Sequence, residues 1–349
     1  MIYLFIFINA LPSMSQTGQI RWSEFSPLPD KSGFAGMYAG VTSGTLIAMG
    51  GANFPGQYPW EGGKKKWYDH IYVLPEGGQW HLSEQKLPAP SGYGVSVSYK
   101  DRVIIAGGCT DTHHLTSVYS YRWSGSRLEK ESLPDLPQPL AYMTGALLGD
   151  ALIILGGSES PGGPPLKLAL LLDLLNPDSG WQKIEPWPGP ERILPVSGVW
   201  NDRLFLMSGE NSLVNSFGEK CRNILTDNYA LAVHREGAQW KASWKKLSPI
   251  PRGVAAAGTL PLLNGSRFMI WGGVDAVTAH YRDPATHPGI TRSVLCYYPG
   301  NDTWEYLGNQ DKYPSLVTLP VVPYQDGWLY ISGEIKPGIR TPFIIKISE

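Results

Sequence analysis

Six apolar runs along the chain end in a glycine pair or a serine–glycine pair. They read TLIAMGG, RVIIAGG, ALIILGG, RLFLMSG, RFMIWGG and WLYISG, and they close at Gly51, Gly108, Gly157, Gly209, Gly273 and Gly333. Their spacing is uneven, roughly 50–65 residues, as in a repeat array with insertions. Each run is short, unbroken and rich in branched residues, which predicts a buried strand. A proline-containing turn with small and apolar residues leads into the runs, as in KLPAPSGYGVSVSY and SPIPRGVAAAGTL. A third strand such as DHIYVL or VLCYYP follows, and a tryptophan often closes the unit: Trp80, Trp181, Trp240 or Trp244, and Trp304. The second unit uses Leu128 in that place. The pattern predicts four short strands per unit, with the glycines where backbones pass closely. The one stretch that tempts a helical reading, LKLALLLDLL, has proline and glycine flanks that suit a buried strand equally.

These features resemble kelch repeats over nearly the whole chain. The resemblance implies an all-β fold, a six-bladed kelch-type β-propeller. The last unit ends at TPFIIKISE, one strand short, and QIRWSEF near the start carries Trp22 where a closing tryptophan belongs. The N-terminal strand is therefore expected to complete the sixth blade and remove an open sheet edge.

Composition agrees with this. Forty glycines, 30 prolines, 13 tryptophans and 18 tyrosines in 349 residues make a turn-rich, aromatic-rich chain. A net charge of -1 offers no basic surface for nucleic acid or an anionic membrane. Cys109, Cys221 and Cys296 are sparse and lack metal-ligand spacing. The opening MIYLFIFINALPSMSQ resembles a secretory signal peptide over residues 1–16, too short to span a bilayer. That leaves 17–349 as the propeller domain. A periplasmic or secreted location is expected, or a cytoplasmic one if the true start lies elsewhere.

Candidate chemistry follows from the repeat alignment. The residues after the glycine pairs are Ala52, Cys109, Ser158, Glu210, Val274 and Glu334, which puts two carboxylates on one rim in blades four and six. Glu334 ends a strand, KPG is type II turn chemistry, and Arg340 begins the partner strand. Cross-strand neighbours lie about 5 Å apart, so Arg340 is placed to orient Glu334 or grip an anion beside it. Long loops follow three glycine pairs, at 52–68, 211–223 and 274–292, and are expected to rise over the same face. The first carries Lys64, Lys65 and Lys66, a solvated charge run by default and a basic lid by function. Phe34, Tyr93, Tyr142, Arg192 and Arg252 align near the channel, where rings stack on a sugar and guanidinium holds a carboxylate. His113 and His114 read as polar loop residues.

A closer resemblance rests on GEIKPGIRT and on GGANFPG followed by WEGGKKKWYDHIYVL. These look like elements of the N-acetylneuraminate epimerases, sialic acid mutarotases of kelch fold. Their order is exchanged here, so the chain resembles a cyclically permuted mutarotase, which a ring of blades tolerates. The resemblance implies Glu334 and Arg340 as catalytic residues and a sialic acid-like sugar acid as ligand. Glu61 matches the glutamate of the family's HEG element, with Trp60 in place of the histidine. Asn53, Glu61, Lys65, Tyr93, Arg192, Glu210 and Arg252 complete the candidate substrate-binding set. Anomer exchange needs no cofactor, metal or covalent adduct. A non-catalytic kelch module that binds carbohydrate or protein is the alternative. The sialidase repeat is absent, and no Tyr, His and Cys set suits a copper oxidase. Oligomeric state is not legible.

Overall fold

The computed structural model describes residues 19–214, 218–237, 239–281 and 283–349. The expected leader lies outside these residues. Six four-stranded antiparallel sheets form the blades of a β-propeller, in chain order at residues 38–82, 95–133, 144–183, 196–247, 262–309 and 321–348. The sixth takes its outermost strand from the other end of the chain. Arg21–Phe25 pairs with Ile344–Ser348, Trp22 lying opposite Ile347. Among the described residues no helix is long and apolar enough to cross a membrane.

The runs before the glycine pairs are the second strands of their blades, and three of them, Thr45–Met49, Ala151–Leu155 and Arg267–Trp271, are buried throughout. Both faces of these strands meet neighbouring blades, which is why they read as continuous rather than alternating apolar stretches. LKLALLLDLL supplies the buried strand Ala169–Asp173. The glycine pairs carry positive φ at both positions in four units, and Gly108 shows why a side chain fails there. A Cβ on it would fall 2.0 Å from the Tyr38 hydroxyl and 2.6 Å from the Gly92 carbonyl.

The closing tryptophans clasp each blade to the one before it. Trp80 donates its indole N–H to the Ser26 carbonyl at 3.0 Å, Trp181 to Pro134 at 2.8 Å, Trp244 to Glu185 at 2.7 Å and Trp304 to Ser248 at 3.3 Å. Trp244 rather than Trp240 therefore fills the repeat position in blade four. In blade two, where Leu128 stands instead, the Gln85 amide donates to the Leu128 carbonyl and accepts its N–H.

A feature with no sequence signature encircles the axis. Gly36, Tyr93, Tyr142, Leu194, Ala256 and Thr318 open the inner strands of the six blades, and all have positive φ, from 52° to 71°. Each donates its backbone N–H to the carbonyl of its counterpart in the preceding blade, at 2.6–2.9 Å, and Gly36 closes the circle onto Thr318. Five non-glycine residues held there store strain on the order of 1–3 kcal/mol each, which the closed hydrogen-bonded collar offsets. Beyond the collar the channel widens into a largely apolar cavity of about 400 Å³, with Val97, Leu147, Leu262 and Trp328 on its wall.

Candidate functional site

The residues after the glycine pairs do occupy one equivalent position. Ala52, Cys109, Ser158, Glu210, Val274 and Glu334 each form an antiparallel bridge to the residue just before the collar: Ala35, Gly92, Ala141, Ile193, Ala255 and Val317. Their side chains accordingly start beside the axis. Three of these positions open small two-stranded flaps outside the blades. Ala52–Asn53 pairs with Lys66–Trp67 on blade one, Glu210–Val214 with Lys220–Ile224 on blade four, and Glu334–Lys336 with Ile339–Arg340 on blade six.

On the blade-six flap, Glu334 and Arg340 are Cα partners and their side chains form an ion pair of 2.7 Å. Arg340 is only 5% exposed in its side chain and Glu334 17%. The guanidinium lies over the Phe54 ring at 4.8 Å, and its Nε and Nη1 are buried without a hydrogen-bond partner. Buried donors of that kind are costly unless something accepts from them. The turn is held against the blade-one loop, since a Cβ at Gly338 would fall 2.8 Å from Pro59 and 3.1 Å from Trp60. Trp60 stacks on Tyr58 with ring centres 4.7 Å apart, and its ring is part of the packing surface for the KPG turn.

Burial pushes the Glu334 carboxyl above the usual carboxylate range. Arg340, Lys65, the Gly338 N–H and Arg222 pull in the other direction. Those groups come from blades six, one and four, so the carboxyl faces the axis. Lys65 lies with its ammonium 4.3 Å from the centre of Tyr93 and 4.4 Å from that of Trp67. Burial, with Arg340 as the next cause, lowers its pKa to about 8, against the attraction of Cys109 and Glu334. Burial raises the Tyr93 hydroxyl, and Arg340 partly offsets this. Tyr142 packs against Tyr93 at 5.5 Å, and its hydroxyl is 3.6 Å from the Cys109 sulfur. Across from this group, Arg222 makes an ion pair with Glu210, donating from Nε at 3.0 Å and also from Nη2.

Several sequence candidates stand elsewhere. Arg192 is fully buried: it bonds Asp227 at 2.6 Å and the Ser208 carbonyl at 2.7 Å, between the rings of Trp187 and Tyr229. It braces blades three and four and has no face for a ligand. The alignment misplaced it by two residues, because the collar position of its blade is Leu194; Phe34 is likewise two residues short of Gly36 and sits in the core. Arg252 reaches the Gly272 and Ser293 carbonyls at 3.3 and 3.5 Å. Burial lowers its pKa to about 10, with Asp275 acting in the opposite direction, and its hydrogen-bond acceptors are main-chain carbonyls of blade five. Glu61 is exposed and accepts the Tyr58 N–H at 3.1 Å, closing its own turn. Asn53 is buried between the Gly33 carbonyl, at 2.9 Å, and the Tyr68 hydroxyl, at 2.9 Å, where it fixes the flap. The site thus gathers Glu334, Arg340, Lys65, Tyr93 and the Glu210–Arg222 pair.

Sequence reasoning passed over Phe54, Trp67 and Arg222. Trp67 had a signal, since it is two residues from Lys65 and alternation puts both on one side of the strand. Arg222 had none without the register of its flap. His114 is also not a surface residue. It is 4% exposed, donates from Nδ1 to the Ser158 carbonyl at 2.9 Å and packs edge-on to Tyr142. Burial lowers its pKa, which keeps it neutral.

Residues 11–129 match the family model described as N-acetylneuraminate epimerase. An N-acetylneuraminate epimerase of Yersinia pestis (strain Pestoides F) is 36% identical over 127 residues, covering 31% of this chain and 32% of the relative. One from Haemophilus influenzae (strain 86-028NP) is 35% identical over 127 residues, 32% of this chain and 33% of that one. The matched stretch spans about a third of the length of these curated relatives. It bears out the resemblance read from GGANFPG and WEGGKKKWYDHIYVL, and it stops well before Glu334. The solved structure of YjhT superposes with a TM-score of 0.68 over 93% of this chain and 96% of that one, at 14% identity, and shares the propeller fold.

Proposed function

We propose that the protein is a mutarotase that interconverts the anomers of N-acetylneuraminate or a closely related sugar acid. The observation that carries this is the buried Glu334–Arg340 pair, with two guanidinium donors unspent beside a carboxyl whose proton affinity is raised. A substrate carboxylate satisfies those donors, and Arg340 presents a planar fork suited to it. Glu334 then removes the proton of the anomeric hydroxyl as the ring C–O bond breaks. Rotation about a C–C bond and reclosure from the other face give the second anomer, and Glu334 returns the proton. A carboxyl whose proton affinity is raised by burial suits this work better than an ordinary one, because it is the stronger base towards the anomeric hydroxyl.

The partial match to epimerases supports the same reading. A linear match confined to 11–129, beside a structural match over nearly the whole chain, is also what a chain break moved between blades would produce. The test is anomer exchange of N-acetylneuraminate, followed by NMR, for the parent, Glu334→Gln and Arg340→Ala. Loss of about 10²–10⁴-fold in Glu334→Gln is expected. Unchanged exchange in both variants rejects the assignment.

A further inference from the structure

We infer that Lys65 is the second proton carrier of this site, its ammonium protonating the sugar's ring oxygen as Glu334 takes the proton of the anomeric hydroxyl. The inference rests on the proposed mutarotase reading and supplies what that reading lacks, a group for the leaving oxygen.

Position comes first. Lys64, Lys65 and Lys66 look alike in sequence, yet the blade-one flap separates them. Lys64 and Lys66 are exposed, and the Lys66 ammonium rests on Tyr68 at 4.9 Å. Lys65, on the same side of the chain as Trp67, is turned in over Trp67 and Tyr93. Among the described residues no carboxylate stands within ion-pair distance of its ammonium; the ring faces hold it instead. Such an ammonium keeps its N–H donors available while its position is defined.

Charge comes second. The groups facing Lys65 are Glu334 and Arg340 from blade six and the Tyr93 hydroxyl and Cys109 thiol from blade two. One carboxylate is shared by two cations, so the site carries an excess positive charge that an anionic sugar neutralises. Burial and Arg340 together bring the Lys65 ammonium to a pKa of about 8, within reach of the working range of a general acid. The unperturbed value, 10.5, is too high for efficient return of the proton.

The step balances. The Glu334 carboxylate accepts the anomeric hydroxyl proton, the ring C–O bond breaks, and the departing oxygen takes a proton from the Lys65 ammonium. The open-chain ketone then stands between a neutral carboxylic acid and a neutral amine. On reclosure the amine removes the hydroxyl proton as that oxygen attacks the ketone, and Glu334 protonates the carbonyl oxygen. Both groups return to their starting states.

The test measures N-acetylneuraminate anomer exchange by NMR as a function of pH for the parent, Lys65→Arg and Lys65→Met. Calorimetry with the methyl glycoside, which cannot open its ring, reports binding alone. The parent rate is expected to fall on the alkaline side near pH 8. Lys65→Arg, which keeps the cation and its ring contacts, is expected to move that limb up by more than one pH unit and lower the rate at pH 7 at least tenfold. Its glycoside affinity is expected to stay within about threefold of the parent's. Lys65→Met is expected to lose the alkaline limb altogether. An alkaline limb unmoved in both variants, or a rate loss matched by an equal loss of glycoside affinity, overturns the proton role and leaves the mutarotase reading intact. A parent chain with no exchange overturns the mutarotase reading, and this inference with it.

Discussion

Glu210 and Glu334 occupy the same step of the repeat with one blade between them, and each is met by an arginine from the return strand of its own flap. Glu334 pairs with Arg340 directly across the ladder, and Glu210 with Arg222, which lies opposite Ser212. The two pairs differ in exposure. Arg340 is 5% exposed and Arg222 43%, so water already competes for the Arg222 donors. Only the blade-six pair holds a fully desolvated guanidinium. Glu210→Gln is therefore expected to reduce anomer exchange less than tenfold, against about 10²–10⁴-fold for Glu334→Gln. NMR exchange rates at matched protein concentration separate the two.

Removing one partner of a buried ion pair leaves a charge without compensation, whereas removing both does not. Arg340→Ala strands the Glu334 carboxylate beneath the KPG turn and is expected to cost about 3–5 kcal/mol in denaturant unfolding. The double variant Glu334→Gln, Arg340→Met is expected to recover much of that loss while remaining inactive. A double variant no more stable than Arg340→Ala would show that the pair's charge balance is not what holds the flap.

Arg192 gives the opposite separation. Its side chain is fully buried between Trp187 and Tyr229 and bonded to Asp227. Arg192→Met is expected to lower stability by about 3–5 kcal/mol through the stranded Asp227. Exchange activity per folded molecule should stay within about twofold of the parent. Circular dichroism melts paired with activity normalised to folded fraction check this.

The blade count was legible because one physical demand repeats: a second strand buried on both faces must be apolar, and the close approach after it must be glycine. The same demand made Glu210 and Glu334 conspicuous, since a carboxylate in that place has no packing reason. What stayed hidden depends on registers that no local pattern encodes. Arg192 looked like a channel residue because it stands two residues from the collar position, which its blade gives to Leu194. The collar itself uses Gly, Tyr, Leu, Ala and Thr, residues that share a backbone angle and no side-chain chemistry. Lys65 differs from its two lysine neighbours only by the side of the chain on which it leaves the loop just before the two-residue strand Lys66–Trp67.

That placement makes Lys65 a source of pH-dependent stability with a definite sign. Its pKa falls from an unfolded value of 10.5 to about 8 in the fold, so between those values the unfolded chain binds more protons than the folded one. Stability from this group is lowest below pH 8, where the fold must hold a desolvated ammonium near Arg340, and it rises as pH climbs towards 10.5. Lys65→Met removes the ammonium and with it this pH dependence. Its melting temperature minus that of the parent is expected to be most positive near pH 7 and to shrink steadily between pH 8 and 10. Because other groups titrate in both chains, the difference between the two melts isolates Lys65. A difference that is flat across this range would mean that the two aromatic faces fully replace the lost water, and that the ammonium keeps its ordinary proton affinity.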